Sequence, residues 1–331
     1  VTATRDIPKV ELHLHLEGAA PPAFIAGLAQ EKSVDLSGIF DDAGHYRYTD
    51  FNDFLRIYEA ACTVLTGPQE FYRLTRAVLE QSAAHGVVYS ETFLSPDFCG
   101  NCDPEAWAEY LAAIREAAED AERADGIVLR GIITCIRHFG PEQAKRAALC
   151  AQETAGEFIT GFGIAGDEMA GKPRDFRYSF DMAREAGLRL TAHAGEWGGA
   201  VSVRDAWRDL GVERIGHGVQ AIDDLALVDE LAEAGVVLEC CPGSNVVLGV
   251  YPRWDAHPIE KLRARGVKVT VSTDDPPFFH TTMSAEYDRL AETFGWDADV
   301  FAEINRTALD AAFCDADTRA RVAKRLESQD T

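Results

Sequence analysis

The chain has 331 residues, 47% hydrophobic and 26% charged, a balance that supplies ample apolar material for a full core. Its 55 acidic against 32 basic residues give a net charge of -23, a poor electrostatic match to phosphate backbones or anionic lipid. Nucleic acid and membrane are therefore set aside as standing partners. No run reaches the ~20 apolar residues of a membrane span. The opening VTATRDIPKVE is charged, without a signal-peptide core, so a cytoplasmic location is expected. Eight cysteines are too sparse for a disulfide scaffold, and the lone C-x-x-C pair, Cys99 and Cys102, lacks the second pair a structural zinc ribbon needs.

In chain order, the first element is VELHLHLEG (10–18). Side chains at i and i+2 share one face of a strand, so His13 and His15 stand side by side with Glu17 beyond them. Buried imidazoles need a partner at each nitrogen, and a metal ion serves both rings at once. Residues 19–85 follow, far longer than a usual strand-to-helix connection, with helical patterns in FNDFLRIYEAACTVL and PQEFYRLTRAVLEQSAAHG. Phe51, Phe54, Leu55 and Tyr58 are the residues that could roof a pocket from this insertion. Further apolar runs recur at 87–95, 127–137, 159–168, 188–196, 214–219, 236–244 and 267–275. Helical patterns separate most of them, several closing on a glycine C-cap at Gly187, Gly211 or Gly235.

Eight alternating units predict an α/β fold, a (β/α)8 barrel in one domain over 1–331, with 19–85 as a helical insertion after strand one. An open doubly wound sheet is the runner-up. GFGIAG (161–166) spells a dinucleotide turn but sits inside a strand-like run, not at the start of a helix. Cys240 and Cys241 read as core.

Active sites of such barrels lie at the C-terminal strand ends. Those ends carry His13, His15 and Glu17; Gly166, Asp167 and Glu168; His193 and Glu196; His217; Ser244 and Asn245; and Asp274 and Asp275. Three imidazoles and a carboxylate suit zinc, with iron or manganese as alternatives. The strand-four run holds no lysine to bridge two ions, so one metal per chain is expected. Metal-bound water has a pKa near 7. Glu196 enters the same pocket three residues after His193, and His217 could orient a hydroxide or take its proton. Asp275 faces away from Asp274 toward a substrate. This is equipment for hydrolytic substitution at carbon, such as C–N cleavage.

The ordered set HLHLEG, AGDE, HAGE, GHG and STDD resembles the adenosine deaminase family of amidohydrolase barrels, over residues 10 to about 315. The resemblance implies one zinc held by His13, His15, His193 and Asp274. It implies that Glu196 protonates purine N1 as hydroxide attacks C6, while His217 orients the hydroxide. His15, Glu17, Gly166 and Asp275 would contact the substrate: Gly166 at N3, Asp275 near N7, and Glu17 where relatives meet or guard the sugar. The expected substrate is adenosine or deoxyadenosine. HLEG in place of HLDG, and CPGSNVVLG, also resemble adenine deaminases and bacterial relatives. Adenine or an adenosine-like compound such as 6-aminodeoxyfutalosine is the alternative. A different amidohydrolase acting on an amide or lactone, and a non-catalytic nucleoside-binding protein, are the readings from other classes.

Overall fold

The computed structural model describes residues 4–327. Eight parallel strands run in sequence order: β1 (Lys9–His15), β2 (Val87–Leu94), β3 (Val128–Ile136), β4 (Ile159–Ala165), β5 (Arg189–Ala194), β6 (Arg214–His217), β7 (Val237–Cys240) and β8 (Lys268–Val271). They are almost entirely buried, as strands covered on both faces must be, which is why they read as continuous apolar runs. The ring closes beyond β8. Asp274 donates its backbone N–H to the carbonyl of His13 (3.1 Å) and accepts from the N–H of His15 (3.0 Å). The molecule is thus a (β/α)8 barrel with a helical insertion after its first strand.

The helices are α1 (Pro22–Glu31), α2 (Phe51–Cys62), α3 (Pro68–Ala84), α4 (Pro104–Asp125), α5 (Pro141–Thr154), α6 (Arg177–Glu185) and α7 (Gly199–Leu210). After these come α8 (Leu225–Ala234), α9 (Pro242–Val247), α10 (Ile259–Ala264), α11 (Pro276–Phe279), α12 (Met283–Phe294), α13 (Ala298–Ala311) and α14 (Ala316–Glu327). Their limits follow local chemistry. Asp224 caps α8 by accepting from Leu227 N–H at 3.1 Å, and Gly235 ends it in the left-handed region at φ 71°. Val10 and Leu12 pack outward on Ala308 and Leu309 of α13, which leaves Glu11, His13 and His15 on the other face of β1.

The strands end earlier than the apolar runs suggest. β7 stops at Cys240, and CPGSN turns at once into α9, because Pro242 has no N–H to give a strand ladder and is preset for a first helical turn. Ser244 and Asn245 therefore lie on a short helix. The first five residues of GFGIAG close β4 and Gly166 follows the strand, and a Cβ at Gly161 would lie 2.7 Å from Ile132 and 2.8 Å from Phe313. Its glycine makes room for side chains in the barrel. Cys240 and Cys241 are buried, as are all eight cysteines, none of them in a disulfide. No described helix is long and apolar enough to cross a membrane.

Candidate active site

The C-terminal strand ends bring together residues that are up to 261 positions apart in the chain. The pleat of β1 aims His13 and His15 at one point, and the loop after β8 delivers Asp274. Asp274 Oδ1 lies 3.4 Å from His13 Nε2 and 3.3 Å from His15 Nε2. His193, near the end of β5, brings its Nε2 to 3.1 Å from His15 Nε2. His217 Nε2 faces the same space, 3.8 Å from Asp274 Oδ2 and 3.6 Å from Glu196 Oε2. Ser244 donates its hydroxyl to Asp274 Oδ2 at 2.8 Å. His217 and Asp274 both adopt left-handed backbones, φ 61° and 66°, a conformation that costs a non-glycine residue of order 1 kcal/mol or more. Strain of that kind persists where the surrounding structure holds a side chain in place.

The electrostatics point to a cation. Burial lowers the pKa of His15, and burial together with the neighbouring imidazoles holds His193 well below its ordinary value, so both rings are neutral with lone pairs to offer. Burial would also lower His13, but hydrogen bonds to Asp274 and Glu239 raise it to about 9. Its Nδ1 gives its proton to Glu239 Oε2 at 2.8 Å, while its buried Nε2 faces Asp274 Oδ1 at 3.4 Å. A cation among these atoms would replace that Nε2 proton. Burial pushes the Asp274 carboxyl up, yet the hydrogen bonds from His13 and His15 more than offset this and keep it ionised. Nitrogen and oxygen donors at such spacing fit zinc.

Beside this cluster stand two acids whose burial favours the protonated form. Burial, then the charges of Asp274 and Glu168, push Glu196 well above the carboxylate range. Burial and Asp274 do the same to Asp275, whose Oδ1 is buried without a hydrogen-bond partner. Gly166, at φ 96°, lies at the rim, where a Cβ would come within 2.7 Å of His138 Nδ1. His15, Gly166, His193, Glu196, His217, Asp274 and Asp275 all line one cavity, roofed by Phe51, Phe54, Leu55 and Tyr58 of α2. Glu17 stands apart: it does not line the cavity. Its carboxyl is buried, raised to about 7 chiefly by that burial, and accepts from the Tyr58 hydroxyl at 3.3 Å.

Several supporting residues carried no role in the sequence. Glu168 accepts backbone N–H groups of Gly195, Glu196 (3.0 Å) and Trp197 (2.7 Å) and the Ser202 hydroxyl, fixing the turn that carries Glu196. Arg137 donates to the carbonyls of Glu168 (3.1 Å) and His193 (3.2 Å), tying two strand ends together. Beneath the imidazoles, Glu239 also accepts from Thr191 (2.9 Å) and Arg214 Nε (2.6 Å). Arg214 reaches on to Glu91 at 2.6 Å and lies over the Phe313 ring at 3.6 Å. A charged residue inside an apolar run was the available signal for Glu91, Arg214 and Glu239, but nothing local named their partners.

A curated adenine deaminase of Chelativorans sp. (strain BNC1) is 46% identical over 321 residues, 96% of this chain and 98% of that protein. Among solved structures, an adenine deaminase from Arthrobacter aurescens superposes with a TM-score of 0.87 at 28% identity, covering 97% of this chain and 98% of that one. An amidohydrolase from Burkholderia ambifaria, solved with bound zinc, gives a TM-score of 0.87 at 28% identity over 98% of this chain and 92% of its own. Adenosine, the substrate favoured from the sequence, thus finds less support among these relatives than adenine does. The family model for adenosine deaminase matches residues 8–329, and with the barrel and its imidazole–carboxylate cluster the chain belongs to the adenosine deaminase family of hydrolases.

Proposed function

We propose that the protein hydrolyses the exocyclic C–N bond of adenine, giving hypoxanthine and ammonia, with one zinc ion held by His13, His15, His193 and Asp274. The carrying observation is the convergence of these four side chains beside two acids that burial keeps protonated. Bound there, the metal would supply the means to ionise water near neutral pH. Glu196 donates its proton to ring nitrogen N1 as the water oxygen attacks C6. It then takes one of the two protons of that water, passes it to the departing amine, and is itself reprotonated by the other, so that base plus water become oxopurine plus ammonia. Asp275 presents a carboxyl hydrogen to N7, and the Gly166 backbone N–H meets N3.

The free base is favoured over the nucleoside by two observations. The 46% identical relative is named an adenine deaminase. Glu17, where a sugar contact was expected, lies behind Tyr58 and is engaged by its hydroxyl. The test is a steady-state comparison of adenine, adenosine and 6-aminodeoxyfutalosine on zinc-replete protein, following the purine absorbance and released ammonia together. Adenine should give the highest kcat/KM. Faster turnover of adenosine would overturn the choice of base, and no ammonia from any 6-aminopurine would overturn the deamination.

A further inference from the structure

Behind His217 runs a chain of hydrogen bonds whose polarity can be read from one end. The Ile259 backbone N–H, which can only donate, points at His257 Nδ1 at 3.2 Å. That nitrogen must accept, so the His257 ring proton sits on Nε2. His257 Nε2 lies 3.1 Å from the Asn245 side chain and donates to it, which makes the contacted atom the amide oxygen. The Asn245 amide nitrogen therefore faces the other way, 3.2 Å from His217 Nδ1 and 3.4 Å from Glu196 Oε1. His217 Nδ1 accepts in turn. The ring is neutral and carries its proton on Nε2, toward the cavity.

Each alternative places two donors or two acceptors face to face. A flipped Asn245 amide sets its NH2 against the Nε2–H of His257. A doubly protonated His257 collides with the Ile259 N–H, and a doubly protonated His217 with the Asn245 NH2. All three side chains are fully or almost fully buried, so no bulk water intervenes to relax the polarity.

We propose that Asn245 and His257 are positioning residues that lock His217 in the Nε2–H form, making it a hydrogen-bond donor to the attacking oxygen and neither a metal ligand nor a base. This rests on the deamination reading above for the identity of that oxygen. It decides between the two roles that the sequence left open for His217. It also separates His217 from His13, His193 and Asp274, with which it forms a compact group of ligand atoms within 4.8 Å of one another.

The test is long-range 1H–15N correlation on zinc-loaded protein labelled with 15N-histidine, the His217 signals being identified by their loss in His217→Gln. A protonated Nε2 with an unprotonated Nδ1 is expected, and His217→Gln should keep one zinc per chain. Asn245→Asp sets a carboxylate oxygen against Nδ1 and should move the proton to it, with kcat falling about 10²-fold, the effect of losing one such donor, and KM nearly unchanged. His257→Gln retains a donor for the Asn245 oxygen and should keep the wild-type pattern and most of kcat, whereas His257→Leu should lose both. A wild-type ring protonated at Nδ1, a pattern unmoved by both Asn245→Asp and His257→Leu, or loss of zinc in His217→Gln would each overturn the proposal. The tautomer is read without substrate. If no 6-aminopurine is deaminated while the pattern is present, the proposed function fails and the relay stands.

Discussion

Replacing Glu239 by glutamine changes one oxygen to NH2 at the centre of the buried network under the imidazole cluster. Burial raises the Glu239 pKa, but Arg214, His13 and Thr191 more than compensate, so the native group is an anion. Its Oε1 takes two donors, Arg214 Nε and Thr191 Oγ1, and its Oε2 takes His13 Nδ1–H. The amide keeps its one oxygen toward the two donors and turns its NH2 on His13. His13 Nδ1 then becomes an acceptor, its proton moves to Nε2, and the lone pair proposed to hold the metal is gone. Loss of such an outer partner costs metal affinity about 10–100-fold, and the inverted ring places Glu239→Gln at the upper end. Arg214 keeps Glu91, so the folding penalty falls below the roughly 3–5 kcal/mol of a fully broken buried pair, at about 2–3 kcal/mol. Chelator competition measures the first quantity, and urea unfolding of metal-free protein measures the second apart from stabilisation by bound metal. Zinc affinity equal to wild type would refute the reasoning, whatever the stability.

Glu168→Gln leaves at least one of the backbone donors of the Gly195–Trp197 turn facing an amide hydrogen, at about 1–3 kcal/mol for the orphaned group, and loosens Glu196; kcat should fall about 10–100-fold with zinc content intact, as a steady-state assay with metal analysis will show. Glu196→Gln should lower kcat by about 10²–10⁴-fold with zinc retained. Because the protonated form of Glu196 is the acid, and burial raises its pKa, wild-type kcat/KM should decline as pH rises through that raised pKa, a limb the variant lacks. Glu286 is buried, accepts from Gly243 N–H and the Thr281 hydroxyl, and has its pKa raised from 4.5 to about 8, mainly by burial. The folded protein holds this proton where the unfolded chain has lost it, so the contribution of Glu286 to stability falls as pH rises between about 4.5 and 8. Urea midpoints of Glu286→Gln across that range should show a correspondingly flatter profile.

The number and order of the strands were legible because a strand buried on both faces must be apolar along its length, and helices between such strands leave a parallel sheet little choice but to close. The convergence of the strand-end histidines and acids was legible for the same reason: barrel topology brings those ends together whatever lies between. Local signals ended there. The extent of β7 was overread because an apolar run does not show where the ladder stops, and only Pro242 marks it. His257 drew no reading from the sequence, since the Asn245 oxygen that orients it lies 12 residues away in the chain.

What the sequence by itself determined was the barrel and the residue types gathered at its mouth, because both follow from hydrophobic periodicity and chain order. Only the tertiary structure decided which nitrogen of each imidazole faces the cavity, which acids stay protonated, and that Glu17 sits behind Tyr58. Those properties depend on hydrogen-bond polarity and desolvation between groups as distant in the chain as His13 and Glu239, and no local pattern encodes a partner 226 residues away.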